Sequence, residues 1–216
     1  MKRYQETTAE IEAIRAPFEE KIKAMPVAEI LTDHELVNYI NHSGKVLFGD
    51  RCSPCHGGGG AGNPGYPVLA DDDWLFGGDI DTIQQSIING RKGMMPGFKA
   101  ALNEQQLNDL TKHVLAMSKG SEHAPGKELF VSMGCVGCHG MDGKGMQMMG
   151  AANLADAVWR FTPANEESVK YTIAYGINAP GAKETRSAVM PSFKDQLSET
   201  EIKKLAVYVY QLGGGQ

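Results

Sequence analysis

The sequence predicts a mainly α-helical protein in which a helical extension precedes two small tandem domains. Its 216 residues are enough for two such domains. A five-residue pattern, Cys-x-x-Cys-His, occurs at residues 52–56 and again at 135–139, and it uses all four cysteines of the chain. The apolar face of the last predicted helix in one half recurs 95 positions later in the other half. These observations together indicate an internal duplication.

Residues 1–42 contain no cysteine and predict a helical extension. Apolar residues recur there at helical spacing and predict one stripe: Ile11, Ile14, Phe18, Ile22 and Met25. Pro17 and Pro26 are expected to divide the extension into short helices, because proline interrupts a helix. The stripe fits two roles equally: packing on the domain that follows, or docking on another subunit or joining a membrane helix.

The first domain is predicted over residues 43–119. A helix is predicted to lead to Cys52. The bulky side chain of Phe48 in this helix is expected to pack against the group that the Cys52 motif binds. The glycines of 57–62 lack the Lys-Ser/Thr that completes a phosphate-binding loop, so we expect a tight backbone turn. The aspartates at 71–73 are expected to form a solvated, helix-capping loop. Helices are predicted from about Ile80 to Asn89 and from Asn103, where Gln106 suggests a capping box.

A linker over residues 120–126 leads to the second domain at 127–216. Ser198 and Glu201 form an S-x-x-E capping box before its last helix. The apolar faces of the two last helices correspond residue by residue: Leu107, Leu110, Val114 and Met117 in one, and Ile202, Leu205, Val209 and Leu212 in the other. The main difference between the repeats is an insertion at 178–188.

The Cys-x-x-Cys-His pattern is the attachment signature of a c-type haem. Two thiols on one helical turn can each bond to one haem vinyl group, and the histidine then supplies an axial nitrogen to the iron. Disulfides would not explain the histidines, a zinc site would lack ligands, and no βαβ pattern supports a thioredoxin-like site. The sequence therefore predicts two covalently bound haem c groups, held through Cys52, Cys55 and His56 and through Cys135, Cys138 and His139.

A second axial ligand is predicted in each domain, Met95 in the first and Met190 in the second, since each begins a Met-Pro-x-Phe unit before the last helix. Core packing is the usual role of methionine and the alternative for both. The competing methionines are Met94 in the first domain and Met146, Met148 and Met149 in the second. Bis-histidine ligation is the other alternative, with four further histidines available: His34, His42, His113 and His123.

Arg91 is a candidate partner for a haem carboxylate, since arginine binds carboxylates through two parallel hydrogen bonds. The matching residue of the second repeat is Ile177. Other cations could take the same role there, namely Arg160, Lys183 or Arg186. Trp74 and Trp159 are candidates for the haem pocket or for plain core packing.

The net charge of −5 argues against nucleic acid as a partner. No run of the sequence approaches the 18 apolar residues that a membrane helix needs, and residues 1–6 do not resemble a signal peptide. Because haem attachment of this kind takes place outside the cytoplasm, we expect that an export signal or membrane anchor preceding Met1 has been removed.

Several stretches resemble the dihaem subunit III of cbb3-type cytochrome c oxidases over roughly residues 40–212. The resemblance rests on residues 52–56, 69–78, 89–91 and 95–96 in the first half and on residues 135–140, 142–145, 153–156 and 190–191 in the second. The Asp-x-Trp-Leu-Phe-Gly-Gly stretch at 72–78 is the most specific to the family. The resemblance implies two class I cytochrome c domains on the periplasmic side of the bacterial inner membrane, behind an N-terminal membrane helix absent from this chain.

The resemblance also implies that electrons enter from a small periplasmic cytochrome c and pass to the other oxidase subunits, with no catalysis by this chain alone. A free dihaem carrier of the cytochrome c4 type is the alternative. The 51 residues before Cys52 argue against it, because such a carrier is expected to begin its first motif nearer the N-terminus. A dihaem peroxidase would need an open axial site, whereas both haems here have a methionine candidate.

Overall fold

The computed structural model describes residues 2–161 and 163–213, and side chains from residue 9 onward. Its α-helices are α1 Lys2–Ala24, α2 Val27–Ile30, α3 His34–Arg51, α4 Ser53–His56, α5 Ile80–Asn89, α6 Glu104–Met117, α7 Ala124–Ser132, α8 Val136–His139, α9 Glu166–Tyr175 and α10 Glu199–Tyr210. Extended pairing within the described ranges is limited to isolated β-bridges, which confirms the mainly α-helical prediction. None of the described helices combines the length and the apolar character that a bilayer span requires.

The helices form two packed units, and these units do not follow the two sequence repeats. Helix α10 packs on α3 and α5, whereas α6 packs on α7 and α9. We call α1–α5 together with α10 the Cys52 unit, and α6–α9 the Cys135 unit. Each unit therefore takes its last helix from the other repeat, whereas the sequence predicts that each repeat packs its own.

Two clusters of buried apolar side chains confirm this exchange. The core of the Cys52 unit joins Phe48 of α3 and Ile83 of α5 to Leu205 of α10. The core of the Cys135 unit joins Phe130 of α7 to side chains of α6 and α9, among them Leu110 and Ile173. The apolar stripes of α6 and α10 have the same spacing, so local sequence cannot tell which of the two cores each helix completes.

The segments that lead to α6 and α10 cross each other between the units. Met95 pairs with Ile177, and Arg91 pairs with Met190, each pair through antiparallel backbone bonds. Gly90 and Gly176 lie at the crossings with φ angles of 69° and 71°. A Cβ at either position would lie 2.3 Å from the carbonyl oxygen of the crossing methionine. Glycine is required there both for its backbone angle and for the close approach.

Both predicted capping boxes are present and confirm the starts of these helices. The Asn103 side chain accepts from the backbone N–H of Gln106, whose own side chain accepts from Asn103 N–H. Ser198 and Glu201 make the same reciprocal pair at the start of α10. The cap residues satisfy N–H groups that the first turn of a helix leaves without partners.

Helix pairs cross closely at one glycine in each unit. Gly44 of α3 faces α10, where a Cβ would lie 3.0 Å from the Cβ of Tyr208. Gly126 of α7 faces α6, where a Cβ would lie 2.0 Å from the carbonyl oxygen of Asp109. Gly126 falls inside the predicted linker, but α7 already begins at Ala124. It is therefore a packing residue rather than a flexible hinge.

Within the Cys52 unit, the second half of α1 packs on α3 and α10. Phe18, Ile22 and Met25 contact the apolar core, whereas Ile11 and Ile14 are 43% and 69% exposed. The prediction for Pro17 is wrong, since α1 continues through it, while Pro26 does separate α1 from α2. The packing role is thus confirmed for the part of the stripe nearest α2.

Helix α10 supplies polar contacts that hold this end of α1. Lys203 is buried, and its Nζ donates to the carbonyl oxygens of Lys23 and Met25 at 2.9 Å, and it pairs with Glu199 at 2.9 Å. Lys204 pairs with Glu19, whose carboxylate also accepts from the hydroxyl of Tyr39 at 2.5 Å. A buried ammonium needs such a full set of acceptors.

Replacing Lys203 by methionine is expected to release the end of α1 from α10. The carbonyls of residues 23 and 25 would lose their donor, at a cost of about 1–3 kcal/mol. Hydrogen exchange should then be faster over residues 18–25 and unchanged over α6. The matched control is Lys194→Met, since Lys194 is exposed, and equal exchange in the two variants would contradict the prediction.

Candidate haem-binding sites

The two Cys-x-x-Cys-His motifs adopt the same local structure. Cys52 ends α3, and the short helix α4 carries the rest of the motif to His56. In the second motif, α8 follows Cys135 and ends at His139. Helical turns place the second thiol of each motif one turn after the first. All four cysteines are free thiols in the structure, so the disulfide alternative does not apply.

Each motif histidine is held by a backbone carbonyl. His56 Nδ1 lies 3.1 Å from the carbonyl oxygen of Pro67, and His139 Nδ1 lies 2.9 Å from that of Ala152. A ring that donates from Nδ1 keeps its Nε2 lone pair for a metal. Burial lowers the pKa of both histidines, which favours the neutral form that binds iron. The two imidazoles thus fit the axial role.

Burial also raises the pKa of the first thiol of each motif, to about 11 for Cys52. The pKa of Cys135 is raised for the same reason. A buried thiol of this kind is a poor nucleophile at neutral pH. Cys52 and Cys135 therefore do not fit the reactive thiol of a redox pair.

A glycine turn follows each histidine, as predicted for the first motif. Gly57 and Gly140 have φ angles of 74° and 76°. The chain then returns to the motif, because Gly62 N–H donates to the carbonyl of His56 at 2.6 Å and Gly145 N–H to that of His139 at 2.8 Å. These turns bring the loops that carry Pro67 and Ala152 back to the rings.

The structure places each predicted methionine ligand with the motif of the opposite repeat. Met190 packs on the core of the Cys52 unit, to which Cys52 also belongs. Met95 packs on the core of the Cys135 unit together with Cys135. Both methionines are half-buried and are held by the paired backbone of the crossing segments. The sequence repeats assign Met95 to the first motif and Met190 to the second. The packing in the structure gives the opposite pairing.

The competing methionines lie on the surface. The exposed fractions are 62% for Met94, 39% for Met146, 93% for Met148 and 52% for Met149. His34 and His42 are exposed as well. His113 is buried, but its Nδ1 faces the backbone N–H of His123 at 3.4 Å, and His123 pairs with Asp109 at 3.0 Å. The surroundings of Met95 and Met190 therefore fit ligation better than those of the alternatives.

A cavity of about 240 Å³ lies between the two loops that hold the histidines. Pro67 and Ala152, whose carbonyls hold the two imidazoles, both line it. The half-buried Arg160 also lines this cavity. Burial lowers the pKa of Arg160, while the charges of Asp73 and Asp71 act in the opposite direction. Burial raises the pKa of Asp73, and the neighbouring Asp156 raises it further. The two candidate sites thus lie next to each other, and charged side chains of both repeats line the cavity between them.

The expectation of a solvated, helix-capping loop at 71–73 holds for the exposure of Asp72 but is wrong for helix capping and for the exposure of the other two aspartates. Asp71 and Asp73 are half-buried, and Asp71 Oδ1 accepts from the N–H of Asp73 at 3.2 Å. The cap of α5 is Asp79, which accepts from Thr82 N–H. Burial raises the pKa of both half-buried carboxylates, and the charge of Arg160, which acts to lower it, comes from the other repeat and could not be seen from local sequence.

These two sites define the chain as a c-type cytochrome, a protein that transfers electrons through covalently bound haem c. Residues 40–114 match the family model of cytochrome c oxidase, cbb3-type, subunit III, and residues 123–213 match that of cytochrome c. The chain belongs to the family of cbb3-type cytochrome c oxidase subunit III. The resemblance seen in the sequence is thereby confirmed.

Relatives in this family align with most of the chain. The Cbb3-type cytochrome c oxidase subunit FixP of Bradyrhizobium diazoefficiens is 38% identical over 96% of this chain and 73% of its own length. The subunit CcoP of Cereibacter sphaeroides is 37% identical over 87% of this chain and 66% of its own length. The subunit CcoP of Rhodobacter capsulatus is 36% identical over 92% and 71%, respectively.

Proposed function

We propose that this chain relays single electrons from a periplasmic cytochrome c to the catalytic subunits of a cbb3-type oxidase, without catalysis of its own. The observation that carries the proposal is the pair of motif histidines, each held through Nδ1 and each sharing a unit with a half-buried methionine. The printed names of the relatives support the oxidase as partner. The free carrier of the cytochrome c4 type has no comparable support.

Two haem c groups fit these residues. Cys52 and Cys55 would hold the first group covalently, with His56 and Met190 as axial ligands. For the second, the residues are Cys135, Cys138, His139 and Met95. Bound haem supplies one-electron iron chemistry, and the chain sets its potential and keeps water from it. A thioether ligand favours ferrous iron and so raises the potential.

The contact between the units supports a relay. Because the loops holding both imidazoles line one cavity, both sites adjoin the same part of the molecule. A haem held by the residues of each unit would accept and pass on one electron at a time, with no bond made or broken. The proposed location is the periplasmic side of the bacterial inner membrane.

The function is tested by adding the matured protein to an oxidase preparation that lacks this subunit. We expect oxygen uptake with reduced cytochrome c to be restored, and no uptake by the protein alone. Peptide mass spectrometry should find one haem at residues 52–56 and one at 135–139. The matched control is the double variant Cys135→Ala, Cys138→Ala, which should carry one haem and restore little activity. Full restoration by this variant would contradict a relay that needs both haems.

A further inference from the structure

Each unit holds a half-buried arginine in the same way. Arg91 lies over the ring of Phe76 at 4.8 Å, its Nε donates to Ser86 Oγ at 2.8 Å, and its Nη2 approaches the carbonyl of Thr82 at 3.4 Å. Phe76 follows Trp74 by two positions, and Thr82 is the third residue of α5. These landmarks allow a comparison with the other repeat.

Arg186 makes the corresponding contacts in the Cys135 unit. It lies over the ring of Phe161 at 4.5 Å, and its Nη2 donates to the carbonyl and the hydroxyl of Ser168 at 3.2 and 2.9 Å. Phe161 follows Trp159 by two positions, and Ser168 is the third residue of α9. The two guanidinium groups therefore occupy equivalent places.

The two arginines nevertheless come from different backbone positions. Arg91 exchanges backbone hydrogen bonds with Met190 at 3.0 and 2.9 Å, and the residue that does so with Met95 is Ile177. The second repeat thus lacks arginine at the matching place. The insertion 178–188 folds back and pairs Arg186 alongside Ile177 through a parallel bridge. It thereby returns a guanidinium to the place that Arg91 fills in the first repeat.

The base of the insertion is closed by specific contacts. Asn178 adopts a φ of 49°, and its side chain donates to the carbonyls of Gly93 and Ala188 at 2.7 and 2.9 Å. Its Oδ1 accepts from Ala188 N–H at 3.0 Å. These contacts join the two ends of the insertion, within which Arg186 lies.

Arg186 also has one nitrogen atom without a hydrogen-bond partner among the described residues. Its Nε is the buried side-chain polar atom that lacks a hydrogen bond within the described part of the chain. No carboxylate there makes an ion pair with it. Arg186 as a whole is half-buried, but a buried donor atom without a hydrogen bond costs free energy. An anion beside the guanidinium would stabilise its charge. The group that fits is a carboxylate, which arginine binds through two parallel bonds.

We propose that Arg186 is the positioning residue that pairs with a carboxylate of the haem bound at Cys135, the role for which Arg91 is the candidate at the haem bound at Cys52. The inference rests on the proposed function, since it needs a haem in each unit. The insertion 178–188 then has a defined role, which is to replace an arginine that the second repeat lacks at Ile177.

The test is potentiometry of the full, haem-loaded protein carrying Arg186→Gln. A cation near the iron stabilises the added electron, and its removal leaves the carboxylate charge unbalanced. We expect about a tenfold shift toward the ferric form at one haem, equivalent to about 59 mV for one electron, with the other haem unchanged. The matched control is Lys183→Gln, which removes the same charge from an exposed site in the same insertion and should leave both potentials unchanged.

The double variant Ile177→Arg, Arg186→Gln tests whether the shift in potential comes from the lost charge or from a change in structure. A guanidinium placed on the neighbouring backbone should restore at least half of the shift. Unchanged potentials in Arg186→Gln, with both haems attached, would overturn the inference and leave the proposed function intact. A lowered potential that Ile177→Arg does not restore would also overturn it. Absence of covalent haem at Cys135 in the unaltered protein would instead overturn the proposed function.

Discussion

Replacing Met190 by alanine is expected to remove the thioether ligand from the haem bound at Cys52, although Met190 belongs to the second repeat. The ferric sulfur-to-iron absorption band should fall to about half, because one of two such ligands is lost. The potential of that haem should fall by roughly a hundred millivolts or more, within the ~0.8 V that axial ligands span. Met95→Ala should have the same effect on the haem bound at Cys135.

The position of the ligand is measured by NMR of the ferrous protein with labelled methionine methyl groups. The shifted methyl of Met190 should show contacts to the haem at Cys52 and to Phe48, with which it shares a core. The matched control is Met94→Ala, since Met94 is exposed and adjacent to Met95. Contacts from Met190 to the haem at Cys135 would show that each repeat ligates its own haem.

Replacing Gly126 by alanine is expected to destabilise the Cys135 unit by about 3 kcal/mol or more. The new Cβ would lie 2.0 Å from the carbonyl oxygen of Asp109 and 2.6 Å from the Cβ of His113. Neither atom is the end of a flexible side chain, so α6 and α7 must separate. Thermal unfolding followed by circular dichroism should show the loss.

Two other glycines provide matched comparisons. Gly44→Ala should cost about 1 kcal/mol, because its nearest contact of 3.0 Å can relax by a few tenths of an ångström. Gly49→Ala has no neighbour within 4 Å and lies in α3, so it should stabilise by about 0.5–1 kcal/mol. Equal stability of the Gly126 and Gly49 variants would show that α6 and α7 do not cross at Gly126.

The helical class, the capped starts of the two last helices and the family could be predicted from local sequence. The capping boxes at Asn103 and Ser198 and the motif turns depend on contacts within a few residues, and all are present. The chemistry of the Cys-x-x-Cys-His motifs also follows from residues on one helical turn. Such features can be inferred from neighbouring positions because their partners are themselves neighbouring positions.

The arrangement of the two repeats depends on long-range contacts that local sequence does not record. Helices α6 and α10 present equivalent apolar stripes, so the choice of core is made by packing across the whole chain. The same holds for Arg160, whose acidic neighbours come from the other repeat, and for Arg186, which an insertion carries to the place of Arg91. In each case the interacting residues lie far apart in the chain and become neighbours only in the folded protein.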